Sequence, residues 1–113
     1  RLDVLEEIHL DHNNIQQLPA AIGQMGRVKL FDVSSNYIRV LPASIANMTE
    51  LTTLNLSSNK LCLINPIISM LSSLTKLQLQ DNQLSVIPEV LCNLINVREV
   101  SFSQNRLTEL PHN

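Results

Sequence analysis

Tryptophan is absent from this 113-residue chain, aromatic residues make up only 3 % of it, and glycine occurs twice. Leucine, isoleucine and valine must therefore supply most of the core that 44 % apolar residues can form. Two glycines are too few for the glycine-rich loop that cradles a phosphate group. No apolar run approaches the length of a membrane-spanning helix, and no signal peptide is visible. We therefore expect neither membrane insertion nor a phosphate-binding loop.

A strong charge of either sign is also missing, because the net charge is −2 and the charged residues are scattered. A nucleic-acid partner would require a basic stripe. Cysteine occurs only at Cys62 and Cys92, which fall at different places of the repeat described below. A disulfide needs Cα atoms within about 7 Å, which this spacing disfavours, and two isolated cysteines cannot form a metal site. We expect reduced thiols, which favour the cytoplasm, and no metal or cofactor.

A 23-residue repeat runs through the chain without insertion or deletion. If the first unit begins at Leu5, apolar residues recur at places 1, 4, 6, 11, 14, 18 and 21 of a unit, and asparagine recurs at place 9. About five units, beginning near residues 5, 28, 51, 74 and 97, make one domain over residues 1–113. The recurring asparagines are Asn13, Asn36, Asn59, Asn82 and Asn105.

The spacing within a unit predicts a short strand, a turn and a short helical return. Places 4 and 6 alternate with polar residues, as in a half-buried strand, whereas places 18 and 21 are spaced like a helical turn. A proline at place 15 separates the halves except in the third unit, where Asn65 holds that place and Pro66 follows. We expect the turn of that unit to differ locally. Since one unit buries too little surface to be stable alone, the units should stack as a solenoid with a parallel sheet inside the curve.

The recurring asparagine is expected to be structural. Where each strand ends, the backbone turns inward and loses its ladder partners, and each buried orphan group costs about 1–3 kcal/mol. An asparagine side chain carries both a donor and an acceptor. We predict that each one serves the turn of its own unit and of the next unit, so that the five form a continuous ladder.

The segments "LTTLNLSSNKL" and "LTKLQLQDNQL" resemble the L-x-x-L-x-L-x-x-N-x-L signature of leucine-rich repeats. The continuations "IQQLPAAIGQM" and "IRVLPASIANM" are similar to the 23-residue intracellular subclass of Ras-pathway scaffolds, the Scribble and Erbin polarity proteins, and plant Ras-group repeat proteins. The resemblance implies a right-handed α/β solenoid with a parallel sheet on the concave face and short helical or 3₁₀ segments on the convex face. It also implies protein binding, usually on the concave sheet, within a larger signalling or scaffolding chain.

Both ends of the chain fall inside a repeat. Leu2 lies at place 21 of a preceding unit, and Asn113 ends the fifth unit before its helical half. Terminal units normally carry polar caps, yet Leu5 and Phe102 would face no neighbouring unit. We expect these residues to be an interior piece of a longer array.

Two surfaces are candidate binding sites. The first is the concave face, a polar surface at places 3, 5, 7 and 8 without the Trp, Tyr or Arg that binding hot spots favour. Its candidate binding residues, at places 3, 5 and 7, are Glu7, His9, Asp11, Asp32, Ser34, Thr53, Asn55, Ser57, Lys76, Gln78, Gln80, Glu99, Ser101 and Ser103. The second is an apolar strip of outward-facing residues, a kind of patch that often marks a contact, with partial burial under the irregular turn as the alternative. It consists of Val40, Leu63, Ile67, Met70, Val86 and Val90.

Three further features carry weaker signals. A mildly basic rim on the loop edge, or simply solvated edge residues, is formed by Tyr37, Arg39, Lys60 and Arg106. His9, Asp11 and His12 suggest metal or acid–base chemistry, but no further ligand or nucleophile is evident, so we expect ordinary surface. The glycosylation sequons at Asn47 and Asn55 are interpreted as chance in an intracellular chain.

No catalytic set of serine, histidine and acid and no paired catalytic carboxylates stand out, so the chain is expected not to be an enzyme. The first hypothesis is a protein-binding scaffold within a cytoplasmic signalling or adaptor protein. The second is a recognition segment of a larger kinase, GTPase or ubiquitin ligase. The third is a fragment of an extracellular receptor.

Overall fold

Five short strands and three 3₁₀ helices alternate along the part of the chain that the computed structural model describes, residues 4–86 and 97–106. The strands are β1 (Glu7–His9), β2 (Leu30–Asp32), β3 (Thr53–Asn55), β4 (Lys76–Gln78) and β5 (Glu99–Ser101). The 3₁₀ helices are Ala20–Gln24, Ala43–Asn47 and Pro66–Met70. Each of the first three units is thus a strand, a turn and a short helical return, as the apolar spacing predicts.

The strands form one parallel sheet in the order β1-β2-β3-β4-β5. Each strand residue pairs with the residue 23 positions later, so that Ile8 faces Phe31 and Phe31 faces Leu54. The register equals the repeat length, and equivalent places of successive units therefore lie side by side. This arrangement confirms the predicted solenoid, with its parallel sheet on the concave face and short 3₁₀ segments on the convex face.

The core is a continuous apolar column to which every unit adds one layer. In the inner strands the place-4 residues Phe31, Leu54 and Leu77 have no exposed surface, whereas the equivalent Val100 of β5 is 38 % exposed. A place-4 residue is thus fully buried where a described unit packs on each side of it. Neighbouring units thus complete the burial of these side chains, which is the energetic reason for stacking.

The third unit keeps the backbone path of the first two, so the expectation that its turn would differ is wrong for the backbone. Its 3₁₀ helix begins at place 16, as theirs do. Asn65 has φ −64° and ψ 123°, near the −69° and 147° of Pro42. The difference lies in the cap, since Asn65 Oδ1 accepts a hydrogen bond from the N–H of Ile67 at 3.0 Å. Pro66 takes the first helical position, where its missing N–H costs nothing.

The helical segments within residues 4–86 and 97–106 are short, and none is a long apolar helix that could cross a bilayer. The first two of them pack closely at Gly23. A Cβ added at Gly23 would lie 2.7 Å from the carbonyl oxygen of Ser44, inside the contact distance of the atoms. A Cβ at Gly26 would lie 3.8 Å from the carbonyl oxygen of Asn47, an ordinary contact.

We predict that Gly23→Ala lowers the free energy of unfolding by about 1–3 kcal/mol, because the backbone of the neighbouring helix must move away. Gly26→Ala should leave stability unchanged or raise it by about 0.4–1 kcal/mol, because alanine restricts the unfolded chain. Urea unfolding followed by circular dichroism measures both. Equal effects of the two substitutions would contradict the close approach at Gly23.

Candidate protein-binding surfaces

The buried asparagines tie each unit to the one before it. Asn59 Nδ2 lies within 3.1 Å of the carbonyl oxygens of Leu56 and Ser57 in its own unit, and 3.0 Å from that of Val33 in the preceding unit. Its Oδ1 accepts a hydrogen bond from the N–H of Ile38, also in the preceding unit, at 3.0 Å. The same set of bonds is made by Asn36, Asn82 and Asn105.

The direction of these bonds differs from the prediction, which joined each asparagine to the following unit. The chain turns inward past the end of the strand, where the asparagine meets the place-6 carbonyl and the place-11 N–H of the preceding unit. Asn13 donates to the carbonyls of Leu10 and Asp11 in its own unit at 2.9 and 3.1 Å. From Asn36 onward, each ladder asparagine therefore bonds its own unit to the preceding unit.

A residue with left-handed backbone conformation precedes each of the five ladder asparagines. The residues at place 8 have φ between 54° and 59°, and they are His12, Ser35, Ser58, Asp81 and Gln104. In this conformation the N–H of Ser35 donates to the carbonyl oxygen of Ser57 in the next unit at 3.0 Å. The conformation was not predicted, because glycine stands at none of these positions. The available signal is a polar residue before each asparagine, including the His and Asp types that are enriched at positive φ.

The concave face is polar, but part of its predicted set is not available to a partner. Ser34 and Ser57 are only 8 % exposed. Their hydroxyl groups donate at 2.7 Å to Asp32 Oδ1 and Asn55 Oδ1, and their backbone N–H groups donate to the same oxygens. These two serines therefore close a local turn instead of lining a binding face, because the chain already bends inward at place 7.

The remaining concave residues are at least partly exposed, and charge gathers at the two ends of the sheet. The concave residues that are partly or largely exposed are Glu7, His9, Asp11, Asp32, Thr53, Asn55, Lys76, Gln78, Gln80, Glu99, Ser101 and Ser103. Lys76 Nζ lies 3.6 Å from Glu99 Oε2 across β4 and β5. The middle of the face is neutral.

At the β1 end the sheet brings a second acid, Asp32, to His9 and Asp11, two of the three residues noted in the sequence. Asp32 pairs with His9 across β1 and β2, and donor atoms of His9, Asp11 and Asp32 all lie within 4.8 Å of one another. A hydrogen bond with Glu7 at 3.0 Å raises the pKa of His9, and one with His12 lowers the pKa of Asp11. Exposed acidic groups commonly lie this close without a metal ion, so proximity alone assigns no metal site.

The apolar strip is largely exposed. Leu63 is 70 % exposed, Met70 64 %, Val40 57 % and Val86 41 %. Ile67, in the third 3₁₀ helix (Pro66–Met70), is half-buried. Val90, the remaining member of the predicted strip, lies outside the described residues. Since Val40, Leu63 and Val86 hold place 13 of successive units, the register sets them in one row.

A groove of about 760 Å³ runs along the loop edge beside this row. We call it the edge groove, and its lining consists of Gln16, Gln17, Tyr37, Arg39, Val40, Lys60, Cys62 and Gln83. Three of the four residues of the predicted basic rim line it, whereas Arg106 does not. The three glutamines and Cys62 were not predicted to belong to a site. They could have been found by aligning places 10, 12 and 13 of successive units.

Sequence comparison matches the chain to one family. A family model described as "Leucine rich repeat" matches residues 3–61, and a second model of the same description matches residues 73–94. No curated protein sequence matches the chain.

Solved structures share the fold over nearly the whole chain. The LRR ectodomain of the receptor kinase SOBIR1 from Arabidopsis thaliana is 30 % identical, with a TM-score of 0.82, over 98 % of this chain and 63 % of that one. An internalin, inlF, from Listeria monocytogenes is 26 % identical, with a TM-score of 0.82, over 93 % of this chain and 30 % of that one. The functional domain of InlJ from Listeria monocytogenes is 26 % identical, with a TM-score of 0.81, over 96 % and 22 %. The chain thus spans less than two thirds of each of these proteins.

We predict that Asn59→Ala lowers the free energy of unfolding by more than about 1 kcal/mol, because it leaves the buried N–H of Ile38 without a partner and removes one donor from each of three carbonyl oxygens. Ser58→Ala, the control, removes only a half-exposed hydroxyl that donates to Asp81 Oδ2 at 3.0 Å. Urea melts of both variants give the comparison. Equal shifts would show that the asparagine does no more than favour a turn.

A second prediction concerns the left-handed position. Ser35→Gly should raise the free energy of unfolding by a few tenths to about 1 kcal/mol, since glycine adopts positive φ without the steric cost borne by other residues. Ser35→Val should lower it, since a β-branched side chain fits this region worst. Thermal melts of the pair provide the measurement, and a valine variant as stable as the glycine variant would contradict the observed backbone.

Proposed function

We propose, because this chain belongs to the leucine-rich repeat family, that it is a non-catalytic protein-binding segment of a cytoplasmic signalling or adaptor protein. Domains of this family are generally protein-interaction modules without catalytic activity. The proposal adds to this general role a compartment, a cellular context and a surface. The compartment and the surface rest on particular side chains, and the cellular context rests on the resemblance of the repeat to intracellular scaffolds.

The apolar strip is the observation that carries the proposal. The fold does not require apolar residues at place 13, where unit one has Gln17 and units two to four have Val40, Leu63 and Val86. Full burial of such a side chain is worth about 1.5–3 kcal/mol. A partner that covers the largely exposed Leu63 and Met70 would therefore gain a substantial part of that amount from each.

The cytoplasmic part of the proposal is supported by Cys62. Its thiol is exposed and free, and it lies only 3.7 Å from the carbonyl oxygen of Lys60 and 3.8 Å from Gln83 Oε1, in weak hydrogen-bond contact. An exposed free thiol suits a reducing compartment better than an oxidising one. The other predicted thiol, Cys92, lies outside the described residues.

An extracellular receptor segment is the second candidate, and the similarity to the SOBIR1 ectodomain favours it. The two candidates differ in what they require of Asn47, which is exposed and begins a glycosylation sequon. Mass spectrometry of the protein from its native source should find Asn47 unmodified if the chain is cytoplasmic. A glycan at Asn47 would overturn the cytoplasmic assignment in favour of the extracellular one.

We predict that Leu63→Glu abolishes capture of the partner while leaving the melting temperature unchanged, because a carboxylate at this exposed place cannot enter an apolar interface. Gln24→Glu is the matched control, since it adds the same charge at an exposed position of the first 3₁₀ helix (Ala20–Gln24). Quantitative affinity capture with the wild type and both variants measures the effect. Undiminished capture by Leu63→Glu, or unfolding of that variant, would contradict a binding role for the strip.

A further inference from the structure

The edge groove carries positive charge that the rest of the described chain does not neutralise. Arg39 and Lys60 lie in its lining, and none of the eight lining residues is acidic. Within residues 4–86 and 97–106, neither cation forms an ion pair, whereas Lys29 Nζ lies 3.7 Å from Glu6 Oε1. A positive groove on a chain with net charge −2 is a local feature and not a consequence of overall composition.

The repeat arranges six of the eight lining residues in two rows that cross the units. The place-10 row consists of Tyr37, Lys60 and Gln83, and the place-12 row consists of Gln16, Arg39 and Cys62. Each cation is therefore the middle member of its row, with uncharged side chains on both sides. The two charges lie close to the centre of the groove, where a ligand would cover them.

The floor of the groove is held in place by the backbone. The N–H of Tyr37 donates to the carbonyl oxygen of Ile15 at 2.8 Å, and the N–H of Lys60 donates to that of Ile38 at 2.9 Å. The asparagine ladder satisfies the place-11 N–H groups beside them, as Asn59 does for Ile38. A floor fixed in this way is organised before a ligand arrives, which lowers the entropic cost of binding.

Apolar contact accompanies the charge. Tyr37 and Val40 are 49 % and 57 % exposed, and both line the groove. Tyrosine and arginine are the residue types that interface hot spots favour. The ligand that complements this lining carries carboxylates for the two cations and an apolar side chain for Tyr37 and Val40.

We propose that the edge groove binds an extended acidic segment of a partner protein. The inference rests on the proposed function, and it names the chemistry of the partner. The groove crosses four units, which at about 4.8 Å per strand corresponds to roughly 14 Å and to four or five extended residues. Arg39 offers a planar fork to one carboxylate, and Lys60 offers a point charge to another. A nucleic acid fits less well, because it requires a longer series of cations to neutralise its phosphates.

The test uses fluorescence anisotropy with the labelled peptide SGEELEESG and its uncharged counterpart SGQQLQQSG. At about 25 mM salt the acidic peptide should bind at least roughly tenfold more tightly, and the difference should shrink near 500 mM salt as the charges are screened. A labelled single-stranded oligonucleotide is the third probe. Equal binding of the two peptides would overturn the proposal, and so would tighter binding of the oligonucleotide.

Matched double variants locate the binding. Arg39→Gln with Lys60→Gln should weaken the acidic peptide by roughly tenfold or more, because both carboxylate partners are removed. Arg27→Gln with Lys29→Gln removes the same charge from exposed positions that precede β2, whereas the groove residues follow the strands, and should have little effect. Equal losses in the two variants would mean nonspecific attraction and would overturn the site. Thermal melts verify that the variants remain folded.

Cys62 gives an independent readout within the groove. Bound peptide should slow its alkylation by iodoacetamide several-fold, as followed by mass spectrometry of the fragment that contains it, and an unchanged rate would place the peptide elsewhere. The results also separate the two proposals. If Leu63→Glu abolishes partner capture but the acidic peptide does not bind, the groove proposal fails and the proposed function stands. If the peptide binds and Leu63→Glu leaves capture unchanged, the role of the strip fails instead.

Discussion

A buried asparagine amide that bonds two successive units is the interaction on which the rest of the structure depends. Asn59 accepts from the N–H of Ile38 and donates to carbonyl oxygens on both sides of the junction between units two and three. Without this amide the inward turn would leave the buried N–H of Ile38 without a partner, at a cost in stability. The residue with positive φ before each ladder asparagine also contributes. Its conformation lets the asparagine side chain point inward, and its own N–H donates to the next unit, as the N–H of Ser35 does to the carbonyl oxygen of Ser57.

This arrangement leaves only certain positions free to carry function. Apolar places are committed to the core, place 9 to the ladder, and place 7 in units two and three to a local hydrogen bond. Places 10, 12 and 13 lie outside these constraints, and they carry Tyr37, Arg39 and Leu63. Because the register sets equivalent places side by side, a few substitutions in successive units produce a continuous row. Residues at these places can thus form a binding surface without a change in the fold.

Features that follow from the repeating sequence pattern could be predicted, whereas features that depend on the local path of the backbone could not. The strands, the 3₁₀ returns and the core at Phe31 or Leu54 depend on a repeating pattern, so the sequence alone revealed them. The backbone of the third unit was mispredicted because Asn65 adopts nearly the conformation that proline imposes elsewhere. The burial of Ser34 depends on where the chain bends at the end of the strand. The sequence placed the Ser34 hydroxyl on the concave face because the alternation of apolar and polar residues along the strand does not show where the strand ends and the chain bends.

The sequence by itself determined the repeat length, the strand register and the identity of the ladder residues, because all three follow from side-chain type at a fixed period. Tertiary structure decided how closely side chains of neighbouring units approach one another. Asp32 approaches His9 and Asp11, and Lys60 comes to lie between Tyr37 and Gln83, because parallel stacking converts a separation of 23 residues into one strand spacing. Such contacts depend on how the units stack in space, and the repeat pattern alone does not give the distances between their side chains.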